Sequence, residues 1–184
     1  MAYASADELA ILLGQEDGFA TAGETERAEL LLELATGEID DEIGQSLDDA
    51  VDDLVLDGTG THALILPRWP VTAVTSVALV AVDGDETPLT EGTDFTWSND
   101  GILRRRCSRW PLRAKAVHAV VRAGYTDYPA GVKRVCLALA SRGWDNPGAL
   151  TQERLGDHSK SYGTLGTELA DSELRRLATY RART

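Results

Sequence analysis

The stretch from Gly124 to Leu150 constrains the fold of this chain more than any other. After Pro129, apolar side chains recur at intervals of three and four residues, as they do on one face of an α-helix. These residues are Val132, Val135, Cys136, Leu139 and Ala140. Proline suits the first turn of a helix, because the N–H groups of that turn have no intrahelical partner. Gly143 and then Asn146-Pro147-Gly148 predict where the helix ends. We therefore assign residues 124–150 to a central core helix.

Two more helices are predicted before residue 50. Ser5 with Glu8, and Thr21 with Glu24, have the spacing of capping boxes, in which each side chain binds the backbone N–H of the other residue. The first helix is expected to end at Gly14. The second is long, amphipathic and acidic on its outer faces, and is expected to end at Gly44. Residues 1–50 are thus predicted to form N-terminal helices that pack with the central helix.

Between these helical regions the sequence alternates between apolar and polar residues, which is typical of β-strands. Strands are predicted at Val51–Leu56, Ala63–Leu66, Val71–Val82, Phe95–Trp97, Ile102–Arg104 and Ala116–Arg122. The turn residues Asp57–Gly60 predict a hairpin between the first two strands, and Asn99-Asp100-Gly101 predicts another. Asp83-Gly84-Asp85 predicts a turn. Residues 51–123 are therefore expected to form a small antiparallel β domain inserted between helices.

Residues 151–184 are predicted to be a flexible loop followed by a C-terminal helix. The segment 151–167 is polar and rich in glycine, which is typical of a mobile or partner-dependent loop. Helical spacing returns from Glu168 to Arg181. The predicted fold class is α+β: a helical bundle of two N-terminal helices, the central helix and the C-terminal helix, with an inserted small antiparallel β domain.

Composition excludes several classes of protein. Hydrophobic content is 43%, as in ordinary globular domains. The longest uncharged run, Trp69–Val82, is shorter than the roughly 18–20 residues that a membrane span needs, so no membrane partner is expected. The first residues lack the basic start and apolar segment of a signal peptide. Two cysteines are too few for a disulfide framework and favour a reducing, cytosolic origin.

The net charge of −12 is unevenly distributed. Residues 1–60 contain 17 acids and 1 base, whereas residues 101–184 contain 7 acids and 16 bases. Such polarity would let the acidic part of one subunit meet the basic part of another. Two solvated surfaces, or charge pairs within a single fold, explain it equally well.

No arrangement typical of an active site occurs in the sequence, and we predict no catalytic residue, no cofactor, no metal site and no enzymatic activity. Phosphate-binding loops and dinucleotide fingerprints are absent. The histidines at 62, 118 and 158 lack metal-ligand spacing, and Cys136 has the position of a buried apolar residue. The cluster Asp48, Asp49, Asp52, Asp53 and Asp57 favours an exposed face, with a metal-dependent hydrolase site as the alternative. Asp83-Gly84-Asp85-Glu86 departs from the calcium-loop pattern at Thr87-Pro88.

A basic run extends from Arg104 to Lys115 and contains Trp110. Such residues bind nucleic-acid phosphates and stack on bases, so a nucleic-acid-binding module is an alternative function. Against it, the strongly acidic protein repels nucleic acid at long range, and strand alternation divides the run between two faces. A protein interface or a solvated edge is favoured.

Several short motifs resemble those of one family when their order is considered. They are Leu66-Pro67-x-x-Pro70-Val71-x-x-Val74-x-x-Val77, then Asp100-Gly101-Ile102-Leu103-Arg104, then Gly124-Tyr125 leading through Pro129, Val132-Lys133 and Leu139-Ala140 to Asn146-Pro147. Glu153-x-x-Gly156-Asp157-x-Ser159-x-Ser161-Tyr162 follows. This order is similar to that of the head-to-tail connector (adaptor, or head completion) proteins of long-tailed bacteriophages. The resemblance covers roughly residues 50–165 and does not include the Arg-rich stretch or the acidic N-terminal third.

The resemblance implies a structural subunit of the phage neck. Its copies would form a ring on the portal protein, extend the DNA channel and support tail attachment, each contacting the next through a heterologous interface. Implied partners are the portal protein, identical subunits, a downstream neck or tail-completion protein, and viral DNA that passes without sequence-specific binding. The implied location is the head–tail junction of a virion made in the host bacterial cytoplasm. We take as candidate portal or subunit interface residues Arg104, Arg105, Arg106, Arg109, Tyr162, Leu174, Arg175, Arg176, Leu177 and Tyr180.

Overall fold

The computed structural model describes residues 2–15, 17–146, 152–155, 158–161 and 168–183, with the backbone alone at 152–155 and 158–161. The chain divides into two compact units. The helical unit comprises Met1–Gly44 and Tyr128–Arg181, and the sheet unit comprises Gln45–Asp127 with Ala182–Thr184. Helices and antiparallel sheets both occur, so the predicted α+β class is confirmed. Within the described ranges, no helix is both long and apolar enough to cross a membrane.

The described residues of the helical unit form four α-helices. They are α1 (Ala6–Leu12), α2 (Ala22–Ile43), α3 (Ala130–Asp145) and α4 (Asp171–Leu177), the last followed by a 3-10 turn at Ala178–Tyr180. Both predicted capping boxes are present, at Ser5 and at Thr21, and Gly44 ends α2 in the left-handed conformation. These helix boundaries were predictable because a cap depends on residues that are close in sequence.

Helix α3 buries the predicted apolar stripe, with Val132, Cys136 and Leu139 fully buried, and it packs against α2. Helix α3 ends at Asp145 with Asn146 as its C-cap, as the Asn146-Pro147-Gly148 cluster predicts, whereas Gly143 does not end the helix. Gly143 is instead buried where α3 meets α2, and a Cβ atom there would lie 2.8 Å from Leu31 Cδ2. This glycine permits close packing between two helices.

The sheet unit contains two antiparallel sheets. Their strands are β1 (Ala50–Leu56), β2 (Ala63–Ile65), β3 (Val71–Val80), β4 (Glu86–Pro88), β5 (Phe95–Ser98), β6 (Ile102–Arg105) and β7 (Val117–Ala123). One sheet has the order β1-β7-β3-β4 and the other the order β2-β6-β5. Residues from both sheets, including Val77, Leu103 and Val121, form one buried core together with Trp110. Strand β4, whose residues are all exposed, was not predicted.

The predicted hairpin between the first two strands is wrong. Strand β1 pairs with β7, and β2 pairs with β6 in the other sheet. The intervening segment carries the chain from one sheet to the other, and its Gly58 N–H donates to the Arg113 carbonyl. The hairpin predicted at Asn99-Asp100-Gly101 is confirmed: it joins β5 to β6, with Gly101 at φ +76°.

The C-terminal region differs from its prediction in two respects. The helix predicted over Glu168–Arg181 is shorter, with α4 beginning at Asp171. The segment predicted to be a loop contains an antiparallel hairpin of β8 (Gln152–Leu155) and β9 (His158–Ser161). These strands are polar and lack apolar alternation, so periodicity could not reveal them. The remaining residues of 151–167 lie outside the described part of the chain.

Candidate interaction surfaces

The basic run falls at β6 and the loop that follows it, and its arginines differ in their surroundings. Arg104 and Arg109 are exposed. Arg105 donates to the Ser108 hydroxyl, with Nη2 at 2.6 Å, and its guanidinium lies 5.6 Å from the centre of the Trp110 ring. Arg106 donates to the Gly92 carbonyl. Two arginines of the predicted interface therefore support local structure, and Arg104 and Arg109 present their charges to solvent.

The predicted interface residues of the C-terminal region also differ in their exposure to solvent. Arg175 and Arg176 are exposed, and Leu174 and Tyr180 are half-buried. Leu177 is fully buried within the chain, so its apolar spacing marks a core position and not a surface. Tyr162 lies outside the described residues. The exposed basic part of α4 is thus formed by Arg175 and Arg176.

A bidentate ion pair attaches α4 to α3. The Arg142 guanidinium donates from Nη1 and Nη2 to the two carboxylate oxygens of Glu173, at 2.8 and 2.9 Å. Glu173 also accepts from the backbone N–H of Ala170 at 2.8 Å. Burial raises the pKa of Glu173, but these hydrogen bonds to the charged form outweigh burial, so the net pKa is lowered. The carboxylate therefore remains ionised in a buried position.

The outer surface of α2 combines acidic and apolar residues. Its exposed acids are Glu26, Glu29, Glu33, Glu38 and Asp41. Leu30 and Leu34, four residues apart and therefore on one face, are 56% and 53% exposed. Arg27, the one basic residue in α2, donates to the Trp144 carbonyl and stacks on its ring. This leucine pair was not predicted, although its i, i+4 spacing outside the buried stripe was the available signal.

Carboxylates of the acidic cluster at residues 48–57 have separate partners. Asp52 accepts from Arg68, whose Nη1 contacts both carboxylate oxygens, and Asp49 receives a bidentate contact from Arg122. Hydrogen bonds from Arg122 lower the pKa of Asp49. Asp57 accepts the Lys115 backbone N–H at 2.8 Å. Among the described residues, no group of three His, Cys, Asp or Glu side chains is arranged to hold a metal ion.

His118 on β7 contacts carboxylates on two other strands of its sheet, the neighbouring β1 and the more distant β4. Its Nε2 lies 2.6 Å from Asp53 Oδ1 on β1, and its Nδ1 lies 2.8 Å from Glu86 Oε1 on β4. Hydrogen bonds to these carboxylates, first to Asp53 and then to Glu86, raise the pKa of His118. The arrangement favours the imidazolium and connects β1, β7 and β4.

The two cysteines occupy different environments. Cys107 is exposed and Cys136 is buried. Burial raises the pKa of the Cys136 thiol, whose Sγ lies 3.7 Å from Thr36 Oγ1. The neutral thiol is favoured there, so Cys136 has the environment of a packing residue and not of a nucleophile.

Strand β1 is an edge of the four-stranded sheet along its whole length. Val51 and Val55 are 63% and 58% exposed, and Asp53 is exposed between them on the same face. Paired positions across the β1–β7 ladder put His118 and Arg122 beside these valines. The strand was predicted from the sequence but its exposed edge was not, because an edge depends on which strands pair.

No protein-family model and no curated protein matches the chain. Solved structures do. A chain in the neck of an empty GTA particle, computed with C6 symmetry, matches with a TM-score of 0.66 and 20% sequence identity, over 97% of this chain and 89% of that chain. A chain in the virion of a native gene transfer agent (GTA) particle matches with a TM-score of 0.64 and 18% identity, over the same shares. A chain in the neck of a native GTA particle, computed with C12 symmetry, matches with a TM-score of 0.57 and 16% identity, over 96% and 90%. This chain therefore has the fold of those neck and virion chains.

Proposed function

We propose that the protein is a structural subunit of the neck of a phage-like particle, a head-to-tail connector whose copies form a ring on the portal. In this role it extends the DNA channel and supports attachment of the tail. The observation that carries the proposal is the fold shared, over nearly the whole chain, with chains from the necks of GTA particles. The symmetry of those necks supports repetition of the subunit around an axis.

The distribution of charge supports contacts between copies. The outer surface of α2 is acidic and carries the exposed pair Leu30 and Leu34. Arg175 and Arg176 on α4, and Arg104 and Arg109 at β6, are exposed bases. Opposite charges on different surfaces of one chain suit a heterologous interface, in which unlike surfaces of successive copies meet. We assign these four arginines to contacts with the portal or the neighbouring subunit.

An acidic surface also suits a channel through which DNA moves. Because lysine and arginine contacts to phosphate supply most non-specific affinity for DNA, a lining without them lets the duplex pass freely. This chain has the acids for such a lining, since residues 1–60 contain 17 acids and 1 base.

The nucleic-acid-binding alternative has weaker support. Of the four arginines between residues 104 and 109, Arg105 and Arg106 donate to groups of the protein itself. Arg104 and Arg109 remain available to a phosphate backbone, within a chain of net charge −12. A structural role through protein contacts fits this arrangement better.

The test is assembly. The protein is mixed with the portal protein encoded in the same genome, and the mixture is examined by electron microscopy and size-exclusion chromatography. We expect rings seated on the portal. A chain that stays monomeric in the presence of the portal at high concentration would contradict the proposal. Arg175→Glu with Arg176→Glu is expected to weaken assembly, whereas Arg134→Glu, a charge reversal at an exposed arginine of α3 that the proposal assigns to no contact, serves as the control.

A further inference from the structure

The edges of the two sheets are protected to different degrees against the addition of another strand. At β2, the Thr59 and Thr61 hydroxyls both donate to the Ala63 carbonyl, and the Ala63 N–H donates to Thr61. At β5, the Gly92 N–H donates to the Phe95 carbonyl. Strand β4 is three residues long. Such features prevent another strand from adding to an edge. Strand β1 has seven residues and no comparable cover among the described residues.

The backbone groups that β1 directs outward can be identified. Ala116 and Gly124, which flank β7, pair with Val80 and Pro70 on the β3 side. Alternation along β7 then directs Val117, Ala119, Val121 and Ala123 towards β1, where they face Leu56, Leu54, Asp52 and Ala50. The N–H and C=O groups of Val51, Asp53 and Val55 consequently point away from the sheet. Three donors and three acceptors in a row can accept one more strand.

Pairing of two β1 edges with each other is disfavoured. The segment Val51-x-Asp53-x-Val55 is symmetric about Asp53, so an antiparallel pair of such edges places the two carboxylates opposite one another. Like charges directly opposite in a sheet are destabilising. The same central charge favours a partner strand that carries a base at the opposite position.

One described element of this chain provides such a strand. The hairpin β8–β9 forms a two-stranded sheet of its own, and an isolated hairpin is marginally stable in water. Its last pair is Leu155 and His158, which are separated by two residues in sequence, and at that separation the paired residues of a hairpin exchange backbone hydrogen bonds. Alternation then directs the backbone groups of Gln152 and Arg154 to the edge of β8 that has no partner strand within the described part of the chain. Arg154 is thus the base among the two outward-directed residues of β8.

We infer that β8 of one copy adds antiparallel to β1 of the next copy, with Arg154 at the register position opposite Asp53. The added hairpin extends the four-stranded sheet to six strands across the boundary between subunits. This inference rests on the proposed ring and deepens it by naming one subunit contact. Charge selects the partner, since Asp53 disfavours a second β1 edge and favours Arg154.

The test is disulfide trapping in the assembled ring. Cys107 is exposed, so both partners carry Cys107→Ser; Cys136 is buried. One partner also carries Asp53→Cys and the other carries Arg154→Cys, so a disulfide between these positions joins two chains. Directly opposed residues with facing backbone groups have Cα atoms about 5.5 Å apart, a separation at which disulfides form readily. The control partner carries Glu153→Cys, one residue away and on the other face of the hairpin.

We expect the Asp53→Cys and Arg154→Cys mixture to form at least about tenfold more cross-linked dimer than the Glu153→Cys control. Rings that form without this excess would overturn the inference and leave the proposed function standing. Absence of rings from the wild-type protein with its portal would instead contradict the proposed function, and the inference with it. A cross-link within a single dilute chain that carries both cysteines would show that the hairpin adds to its own β1, which also overturns the inference.

A second variant tests the edge without cysteines. Val55→Pro removes an N–H that points away from the sheet, so the β1–β7 ladder keeps its hydrogen bonds. Ring assembly is expected to fall about tenfold, whereas Val55→Thr, which keeps the N–H, assembles as the wild type does. Unfolding by urea verifies that both variants are folded. Equal assembly of the two folded variants would contradict the use of this edge.

Discussion

Two glycines show how differently one residue type is used in this chain. Gly124 has φ +110°, and a Cβ atom there would lie 2.0 Å from the Asp48 carbonyl oxygen. Gly37 lies in the middle of α2, is exposed, and has no neighbour within 4 Å of such an atom. The first position requires glycine for both conformation and space, whereas the second does not.

Replacement by alanine should therefore have opposite effects at these positions. Gly124→Ala is expected to lower the free energy of unfolding by about 3 kcal/mol, because the backbone must shift and a strained conformation remains. Gly37→Ala is expected to raise it by about 0.5–1 kcal/mol, since alanine costs less conformational entropy in a helix. Urea denaturation measures both. Equal effects would show that the close approach at Asp48 is not rigid.

At the residue scale, local signals were predictable from sequence and tertiary ones were not. The caps at Ser5, Thr21 and Gly44 depend on neighbours within four residues, and all three were placed correctly. Gly143 was misinterpreted because a glycine that ends a helix and one that lets two helices approach look alike in sequence. Distinguishing them requires knowledge of the facing residue, Leu31, which is more than a hundred positions away.

Among the elements, strands β1, β7 and β4 are connected by the contacts of His118 with Asp53 and Glu86. The pKa of His118 is raised in the folded protein, so the imidazolium stabilises the fold at pH values below the unfolded pKa of about 6.5. That contribution is lost as pH rises through the folded pKa. We expect the stability advantage of the wild type over His118→Gln to be largest near pH 6 and to fall above it, as measured by urea unfolding. An advantage that grows with pH would contradict this sign.

The attachment of α4 to α3 should have the opposite dependence on pH. The pKa of Glu173 is lowered, so its ion pair with Arg142 stabilises the fold above the unfolded pKa of about 4.3 and is lost as pH falls through the folded pKa. At pH 7, Arg142→Ala leaves a buried carboxylate without its partner and is expected to cost about 2–3 kcal/mol. Glu173→Gln is expected to approach wild-type stability below pH 4. Unfolding curves from pH 3 to pH 8 measure this, and a cost that does not depend on pH would contradict it.

Strands were predictable as elements, but their partners were not. Alternation located β1, β3 and β7 to within a few residues. It could not show that β1 pairs with a strand more than sixty residues away and not with its neighbour β2, because pairing depends on side chains brought together by the whole core. The exposed edge of β1 is a consequence of that pairing, so it could not be predicted from the sequence either.

For the whole molecule, the order of motifs along the chain was more informative than any single residue. It led to a neck-protein fold that solved structures share at 16–20% identity. The uneven distribution of charge was also evident in the sequence. The sequence did not show which arginines of the basic run are exposed and which donate hydrogen bonds within the protein. Arg105 is distinguished from Arg104 by its contacts with Ser108 and Trp110, which only the folded chain creates.

The balance of charge leads to a prediction for DNA. The net charge is −12, and Arg105 and Arg106 of the basic run donate hydrogen bonds to groups of the protein itself. We therefore expect the protein not to bind double-stranded DNA tightly. We expect no binding to a 30-base-pair duplex at about 150 mM salt, and weak binding at most at about 50 mM, because few counterions are released. Fluorescence anisotropy over a salt series measures this, with Arg104→Ala plus Arg109→Ala as the variant and Arg134→Ala, on α3, as the matched control. Tight binding with a steep salt dependence would contradict the proposed connector role if the first variant abolishes it and the control retains it. The protein would then be a nucleic-acid-binding module. A weak interaction that both variants retain would be consistent with a protein past which DNA slides.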